Sequence, residues 1–185
     1  MNNRCKTCLL LLFTLTAASA VAAESAEKAK AAPPPEAQIQ KALKAGPKPI
    51  TDKATVKDMS GNVLRAGSNG WTCYAEPDSM CHDEVWEKWM QAYMAKGPFR
   101  AERMGLSYML AGDTSAGASN IDPFATGPTP DNQWVKEGPH VMILSPDPAM
   151  LEGVSTDPNN GGPYVMWKGT PYAHIMMPVG PRPKK

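Results

Sequence analysis

The clearest periodic pattern along the chain lies between residues 83 and 96. Large apolar residues recur there at spacings of three and four and would form one broad face of a helix: Val85, Trp86, Trp89, Met90, Tyr93 and Met94. Asp83 and Glu84 place negative charge where a helix begins, and Gly97-Pro98 favours its end. We therefore predict an amphipathic helix over residues 83–96.

Six further segments are short apolar runs, bounded mostly by Gly, Pro, Asn and Asp, which is typical of strands: residues 63–65, 71–74, 106–110, 141–144, 164–167 and 174–177. The last two flank residues 168–173, so we expect them to form a hairpin with a longer loop. Together the patterns predict an α+β fold, in which one firm helix packs on a small, mainly antiparallel sheet with long Pro- and Gly-rich loops.

The N-terminus has the three parts of a secretory signal peptide. Arg4 and Lys6 precede an apolar run at residues 8–18, and small residues follow up to Ala23. The run is shorter than the roughly 20 apolar residues that cross a bilayer. The sequence therefore predicts a signal peptide at 1–23, cleaved near Ala23, a periplasmic or secreted location, and no membrane span in the mature chain.

Composition divides the remaining chain into three parts. Residues 24–50 are rich in Ala, Pro and Lys and predict a flexible tether. Residues 51–179 have the length of a single globular domain, and residues 180–185 form a basic tail. Within the domain, residues 111–133 predict either a meandering surface loop or a functional loop.

The charge distribution limits the classes of partner. The formal net charge is +1, but residues 59–178 carry seven Lys and Arg against thirteen acidic residues. Nucleic-acid binding needs a basic patch on the folded domain, so this class is not expected. An acidic body is better suited to a cation or a cationic ligand, although it is also an ordinary aid to solubility.

Cys73 and Cys81 are the cysteines that remain after the signal peptide, among four in the whole chain. In an oxidising compartment an isolated pair most simply forms a disulfide. A redox-active pair is the alternative, because a thiolate is favoured near a helix N-terminus.

The chain holds three histidines and twelve methionines. Thioether and imidazole ligands together suit copper, Cu(I) in particular, and His174 and Met176 would project from one face of a strand. The sequence thus offers His174 and Met176 as metal ligands for copper or another transition metal. Ordinary core packing explains the same residues.

A site for a small ligand is expected where the long loop meets the strand that carries His174. The candidate ligand-binding residues are His140, His174, Asp113, Asn120 and Asp122. Ser107 and Ser115 are candidate nucleophiles, but neither lies in a G-x-S-x-G nucleophile elbow. No set of catalytic residues follows from the sequence.

Several stretches resemble a group of exported bacterial proteins of unknown function: NGWTC, YMLAGD, ASNIDPFAT, GPHVMIL and GGPYVMWKGTPYAHIMMPV. The resemblance covers most of residues 59–179. It implies export and a single domain, and it carries no activity, cofactor or catalytic residue.

The sequence favours an exported soluble module that binds a small ligand or a metal ion without catalysis. One alternative is a small extracytoplasmic enzyme that uses a histidine with an aspartate of the long loop. Another is an envelope interaction protein, in which the Ala/Pro/Lys-rich arm makes the contact.

Overall fold

The computed structural model describes residues 33–183. The predicted signal peptide at 1–23 and the first part of the predicted tether, at 24–32, lie outside the described residues, as do Lys184 and Lys185. Between residues 33 and 183, no helix is both long and apolar enough to cross a membrane.

The described chain forms ten strands, three α-helices and one short 3-10 helix. The strands are β1 (Thr55–Lys57), β2 (Val63–Arg65), β3 (Thr72–Tyr74), β4 (Met80–His82), β5 (Gly105–Met109), β6 (Ala118–Ser119), β7 (Trp134–Val135), β8 (His140–Leu144), β9 (Tyr164–Met166) and β10 (His174–Pro178). The helices are α1 (Pro35–Ala42), α2 (Lys48–Thr51) and α3 (Glu84–Met94), and the 3-10 helix is Pro148–Leu151.

An eight-stranded mixed sheet forms the centre of the α+β fold, in the order β2-β1-β3-β4-β5-β8-β10-β9. β1 and β3 run parallel, and the other neighbours in this sheet are antiparallel. The prediction of a small, mainly antiparallel sheet is therefore confirmed only in part. The sheet is larger than predicted because it also contains β1 and β4. These two strands have three residues each and lack the apolar runs that predict strands.

Helix α3 confirms the helix predicted over 83–96. The Asp83 carboxylate accepts hydrogen bonds from the backbone N–H groups of Val85 (2.9 Å) and Trp86 (3.1 Å), which stabilises the first turn. Lys96, with φ at 51°, takes the left-handed conformation after the helix, which was expected of Gly97. The apolar face of α3 packs on the sheet and buries Trp86 and Trp89.

Residues 33–50 do not behave as the predicted tether. α1 and α2 pack on the end of the sheet that contains β1, β3 and β4. Ala42 and Ala45 have no exposed surface there. The alanines are small enough to approach the sheet closely, and Ala42 O lies 3.7 Å from Cys81 Sγ. The segment thus contributes to a second hydrophobic core. Its packing was not predicted because it contains few large apolar residues.

Cys73 and Cys81 form the predicted disulfide. They lie directly opposite each other on the adjacent antiparallel strands β3 and β4. The bond therefore joins two neighbouring strands, and α1 covers it.

The predicted basic tail is anchored as far as Arg182. The Arg182 guanidinium donates from Nε to Glu137 Oε1 over 2.9 Å, and Glu137 is buried. Tyr164 donates its hydroxyl to the same carboxylate oxygen. This ion pair between a buried glutamate and a partly exposed arginine fixes the chain after β10 to the domain.

Candidate functional site

The inner face of β5, β8, β10 and β9 carries a regular arrangement of methionine and histidine. Three cross-strand pairs lie side by side on this face: Met109 with His140, Met142 with Met176, and His174 with Met166. Side chains directly opposite each other have Cβ atoms about 4.5–5.5 Å apart. The face is therefore a continuous surface of thioether and imidazole groups.

These six side chains line one cavity of about 380 Å³. Eight of the twelve methionines of the chain contribute to it: Met59, Met80, Met90, Met94, Met109, Met142, Met166 and Met176. Met59 and Met94 are 42% and 63% exposed, so they lie at its rim. Methionine is thus concentrated in one cavity, at positions where aliphatic residues would fill a core equally well.

Tryptophan forms the wall opposite the sheet. Trp86 and Trp89 come from α3, and Trp167 follows β9. The rings of Trp89 and Trp167 lie parallel, with centroids 5.8 Å apart. The His174 ring stands edge-on to all three indoles, at centroid distances of 5.1–5.7 Å. This imidazole is thus enclosed by aromatic rings.

Trp167 is held in an unusual backbone conformation. Its φ is 57°, which is rare for a bulky residue and costs free energy. Its backbone N–H donates to Asn120 O over 2.9 Å, and its indole Nε1 donates to Ser119 O over 2.6 Å. The segment at β6 therefore fixes this wall of the cavity.

The two cavity histidines have a defined tautomer. His140 Nδ1 lies 2.7 Å from Gly138 O, and His174 Nδ1 lies 2.9 Å from Tyr172 O. A carbonyl only accepts, so each Nδ1 carries the proton and each Nε2 has a lone pair. Across residues 33–183, neither Nε2 makes a hydrogen bond. This arrangement, with Nδ1–H bonded to a backbone carbonyl, is common among metal-binding histidines.

Burial also controls the charge of His174. Desolvation lowers the pKa of this imidazole from its usual 6.5 to about 4; the hydrogen bond to the Tyr172 carbonyl opposes the fall, and His140 adds to it. Both rings are only 1% exposed. His174 is therefore neutral near pH 7 and retains a free lone pair.

The carboxylates near the cavity are engaged in fixing the loop. Asp113 Oδ2 accepts from Glu137 N over 2.7 Å, and Asp78 accepts four hydrogen bonds from Thr114 and Ser115. Burial raises the pKa of the Asp113 carboxyl, while the hydrogen bond from Glu137 opposes the rise. These groups position the mouth of the cavity.

The structure brings together some of the predicted site residues. His140, His174, Met176 and Asp113 line the same cavity. Asn120 does not line it, because its amide Nδ2 donates to Gln133 Oε1 (2.7 Å) and Thr156 O (2.9 Å). Asp122 does not line it either, and its Oδ1 accepts from Phe124 N over 2.9 Å. Both residues shape the loop.

His82 lies apart from the cavity and belongs to a separate polar network. Its Nε2 donates to Glu87 Oε2 over 2.7 Å, and Glu87 Oε1 accepts from Lys57 Nζ (2.9 Å) and Tyr74 OH (3.1 Å). The hydrogen bond from His82 is the main cause that lowers the pKa of Glu87 to about 2. Ser107 lies opposite His82, but both are buried and neither lines the cavity.

A second groove, of about 370 Å³, lies elsewhere on the domain. It is lined by Phe99, Leu144, Pro148 and Pro171, with Glu152 and Lys168 paired 3.2 Å apart at its edge. No buried polar group without a partner faces this groove within the described chain. The methionine-lined cavity is therefore the better candidate for a binding site, because it contains two histidine Nε2 atoms that make no hydrogen bond within the described chain.

Most of the cavity was not predicted from the sequence, because its methionines are far apart along the chain and meet only through strand pairing. One sequence pattern could have indicated the cavity: His-x-Met occurs at residues 140–142 and again at 174–176. These two segments lie on the paired antiparallel strands β8 and β10. Met109 and Met166 follow only from the register of the sheet. Among residues 33–183, no three His, Cys, Asp or Glu side chains converge as a metal site.

Comparisons with known proteins give no match: no protein-family model, no curated protein and no solved structure is similar to the chain.

Proposed function

We propose that the protein is an exported, non-catalytic binding module that holds a small ligand in the cavity between α3 and the sheet. The observation that carries the proposal is the convergence of eight methionines and two buried imidazoles with free Nε2 atoms. Concave sites with apolar walls and a few placed polar groups are typical of ligand binding.

Binding fits the cavity better than catalysis does. Nucleophilic catalysis needs a hydroxyl or thiol activated by an adjacent base. The Ser115 hydroxyl faces the cavity but donates to Asp78 Oδ2, over 2.5 Å, and Cys73 is consumed in the disulfide. The polar groups at the mouth thus stabilise the loop, and the histidines remain available to a ligand.

An enzyme that uses a histidine with Asp113 is a second candidate function. Its specific support is that Asp113 and His140 line the same cavity and interact electrostatically. A general base must lie within hydrogen-bond reach of the proton it takes. Substitution of Asp113 by Asn tests this role, because it would abolish turnover while ligand binding by the methionine face persisted.

Ligand occupancy can be tested without knowing the natural ligand. Three of the five tryptophans line the cavity, so a bound ligand would change the intrinsic fluorescence. We expect a saturable change with at least one of two probe classes: Cu(I) or Ag(I), and small aromatic compounds such as indole. Each bound probe should also raise the melting temperature by mass action.

A matched pair of variants locates the binding. Ala118 is partly exposed and lines the cavity, so Ala118→Trp should narrow it and weaken binding of the probe. Ala116 is exposed and lies outside the lining, so Ala116→Trp should leave binding unchanged. The proposal is wrong if no probe gives a saturable response, or if the two variants behave alike.

A further inference from the structure

The methionine and histidine side chains on the inner face of the sheet indicate which class of ligand the cavity binds. We propose that the cavity binds Cu(I), through His174 Nε2 and the thioethers of Met166 and Met176. The inference rests on the proposed function, because it requires this cavity to be the binding site. It goes further by naming the ion, its ligands and the end of the cavity that holds it.

Strand geometry brings the three ligands together. His174 and Met176 are two residues apart on β10 and point to the same face. Met166 lies directly opposite His174 on β9. A residue, its i+2 neighbour and its cross-strand partner enclose a space into which three flexible or rotatable side chains can converge. All three side chains line the cavity.

The imidazole at this end is prepared to bind a metal. The Tyr172 carbonyl holds Nδ1–H of His174 and thereby directs the lone pair of Nε2 away from the backbone. The ring is 1% exposed, and its Nε2 has no hydrogen-bond partner within the described chain. His174 lines the cavity, and its Nε2 is not among the fully buried side-chain atoms that lack a partner, so the lone pair is accessible to an ion that enters the cavity.

The donor set selects a soft ion. Thioethers bind Cu(I) well, whereas carboxylates and water are the ligands of harder ions. No carboxylate contributes to the group formed by His174, Met166 and Met176. Thiolates are the usual soft alternative, but Cys73 and Cys81 are joined in a disulfide. Three indole rings lie with their centroids 5.1–5.7 Å from that of His174, so aromatic rings, which attract cations through their faces, are close to the proposed site.

The opposite end of the cavity supplies a matched comparison. His140, Met109 and Met142 repeat the same arrangement of one imidazole and two thioethers on β8 and β5. Asp113, however, lies close enough to interact with His140, so this end carries a hard carboxylate. We therefore assign the tighter Cu(I) site to His174, and expect the His140 end to bind the ion more weakly.

Competition with a chromophoric Cu(I) chelator under anaerobic conditions tests the assignment. The double variant Met166→Leu with Met176→Leu keeps side-chain volume and removes both thioethers, so it should fold. We expect it to weaken Cu(I) binding by at least about a hundredfold, because it removes two of the three proposed ligands, whereas loss of a supporting group alone costs about 10–100-fold. The double variant Met109→Leu with Met142→Leu should change the affinity of the tight site by less than about fivefold, because it leaves all three proposed ligands of the tight site in place.

Two further measurements make the outcome unambiguous. Met177→Leu, at the neighbouring position but on the opposite face of β10, should have no effect. X-ray absorption of the Cu(I) complex should show one nitrogen and two sulphur scatterers. The proposal is overturned if the two double variants lose equal affinity, or if sulphur is absent from the first shell. Binding of indole without binding of Cu(I) would overturn this inference and leave the proposed function standing, whereas binding of neither probe would end both.

Discussion

Met142 and Met176 lie directly opposite each other on antiparallel strands, and each follows a buried histidine by two residues. Because the strands run in opposite directions, the two His-x-Met segments are related by a local twofold arrangement. The histidines therefore lie at opposite ends of the central methionine pair. This relationship gives the cavity two similar ends, and the surroundings of each end distinguish them.

Trp89 should be among the residues whose loss most destabilises the domain. It is buried on α3, and its ring packs against Trp86, Tyr93 and Trp167. Trp89→Ala should lower the free energy of unfolding by about 3–5 kcal/mol. Gln91 is exposed on the other side of the helix, and Gln91→Ala should change it by less than about 0.5 kcal/mol. Urea denaturation of both variants provides the measurement, and equal effects would contradict the assigned face.

The sequence predicted the parts of the fold that have strong local patterns. α3 and the strands β2, β3, β5, β8, β9 and β10 were predicted within a few residues, because their apolar runs are bounded by turn residues. β1, with Thr55 and Lys57 around one buried valine, has no such pattern. β4 is equally short, and its pairing with β3 becomes evident only from the disulfide between them.

The candidate site was predictable only where one strand carries it. His174 and Met176 share a face by simple alternation, so their proximity could be predicted from the sequence alone. His140 joins them because β8 pairs with β10, and this pairing depends on contacts distant along the chain. Asn120 and Asp122 were expected beside His140 and His174 but do not line the same cavity, since polar loop residues serve equally well as internal hydrogen-bonding groups.

The packing of α1 gives a prediction opposite to the one that its composition suggested. Ala42 has no exposed surface and lies against the disulfide. Ala42→Leu should overpack this core and destabilise the domain by about 1–3 kcal/mol. Gln40 is exposed on the same helix, so Gln40→Leu should cost less than about 0.5 kcal/mol. Thermal unfolding of the two variants decides between a packed helix and a loose arm, since a loose arm would tolerate both changes.

Glu87 should make stability depend on acid pH. Its pKa is about 2 in the folded protein against 4.5 for an ordinary glutamate, because the hydrogen bonds and charges of His82 and Lys57 outweigh the opposing effect of burial. The folded state thus favours the ionised form. The contribution is fully present above pH 4.5 and is lost as the pH falls through about 2. It should amount to about 2 kcal/mol, after allowance for partial exposure.

Denaturant titrations between pH 6 and pH 2 measure this contribution. Glu87→Gln removes the titrating group, so the variant should lose less stability than the parent across this interval. Glu84, exposed at the start of the same helix, provides a control, and Glu84→Gln should retain the steep dependence of the parent. Parallel curves for the parent and Glu87→Gln would show that other carboxylates dominate the acid response.

Asn120 should act on the cavity through Trp167 and not through contact with a ligand. Its backbone carbonyl accepts from Trp167 N, while its side chain ties the β6 segment to Gln133 and Thr156. Asn120→Ala removes both side-chain bonds and should cost about 1–3 kcal/mol of unfolding free energy. Loss of these anchors should also loosen Trp167 and weaken its near-ultraviolet circular dichroism.

A double-mutant cycle with Gln133→Ala should give a coupling of about 0.5–1.5 kcal/mol, since the two amides share one hydrogen bond. Cu(I) affinity, measured well below the melting temperature, should change far less than in the Met166/Met176 double variant, because no proposed ligand is lost. A collapse of affinity with unchanged stability would instead identify Asn120 as a direct contact of the ligand.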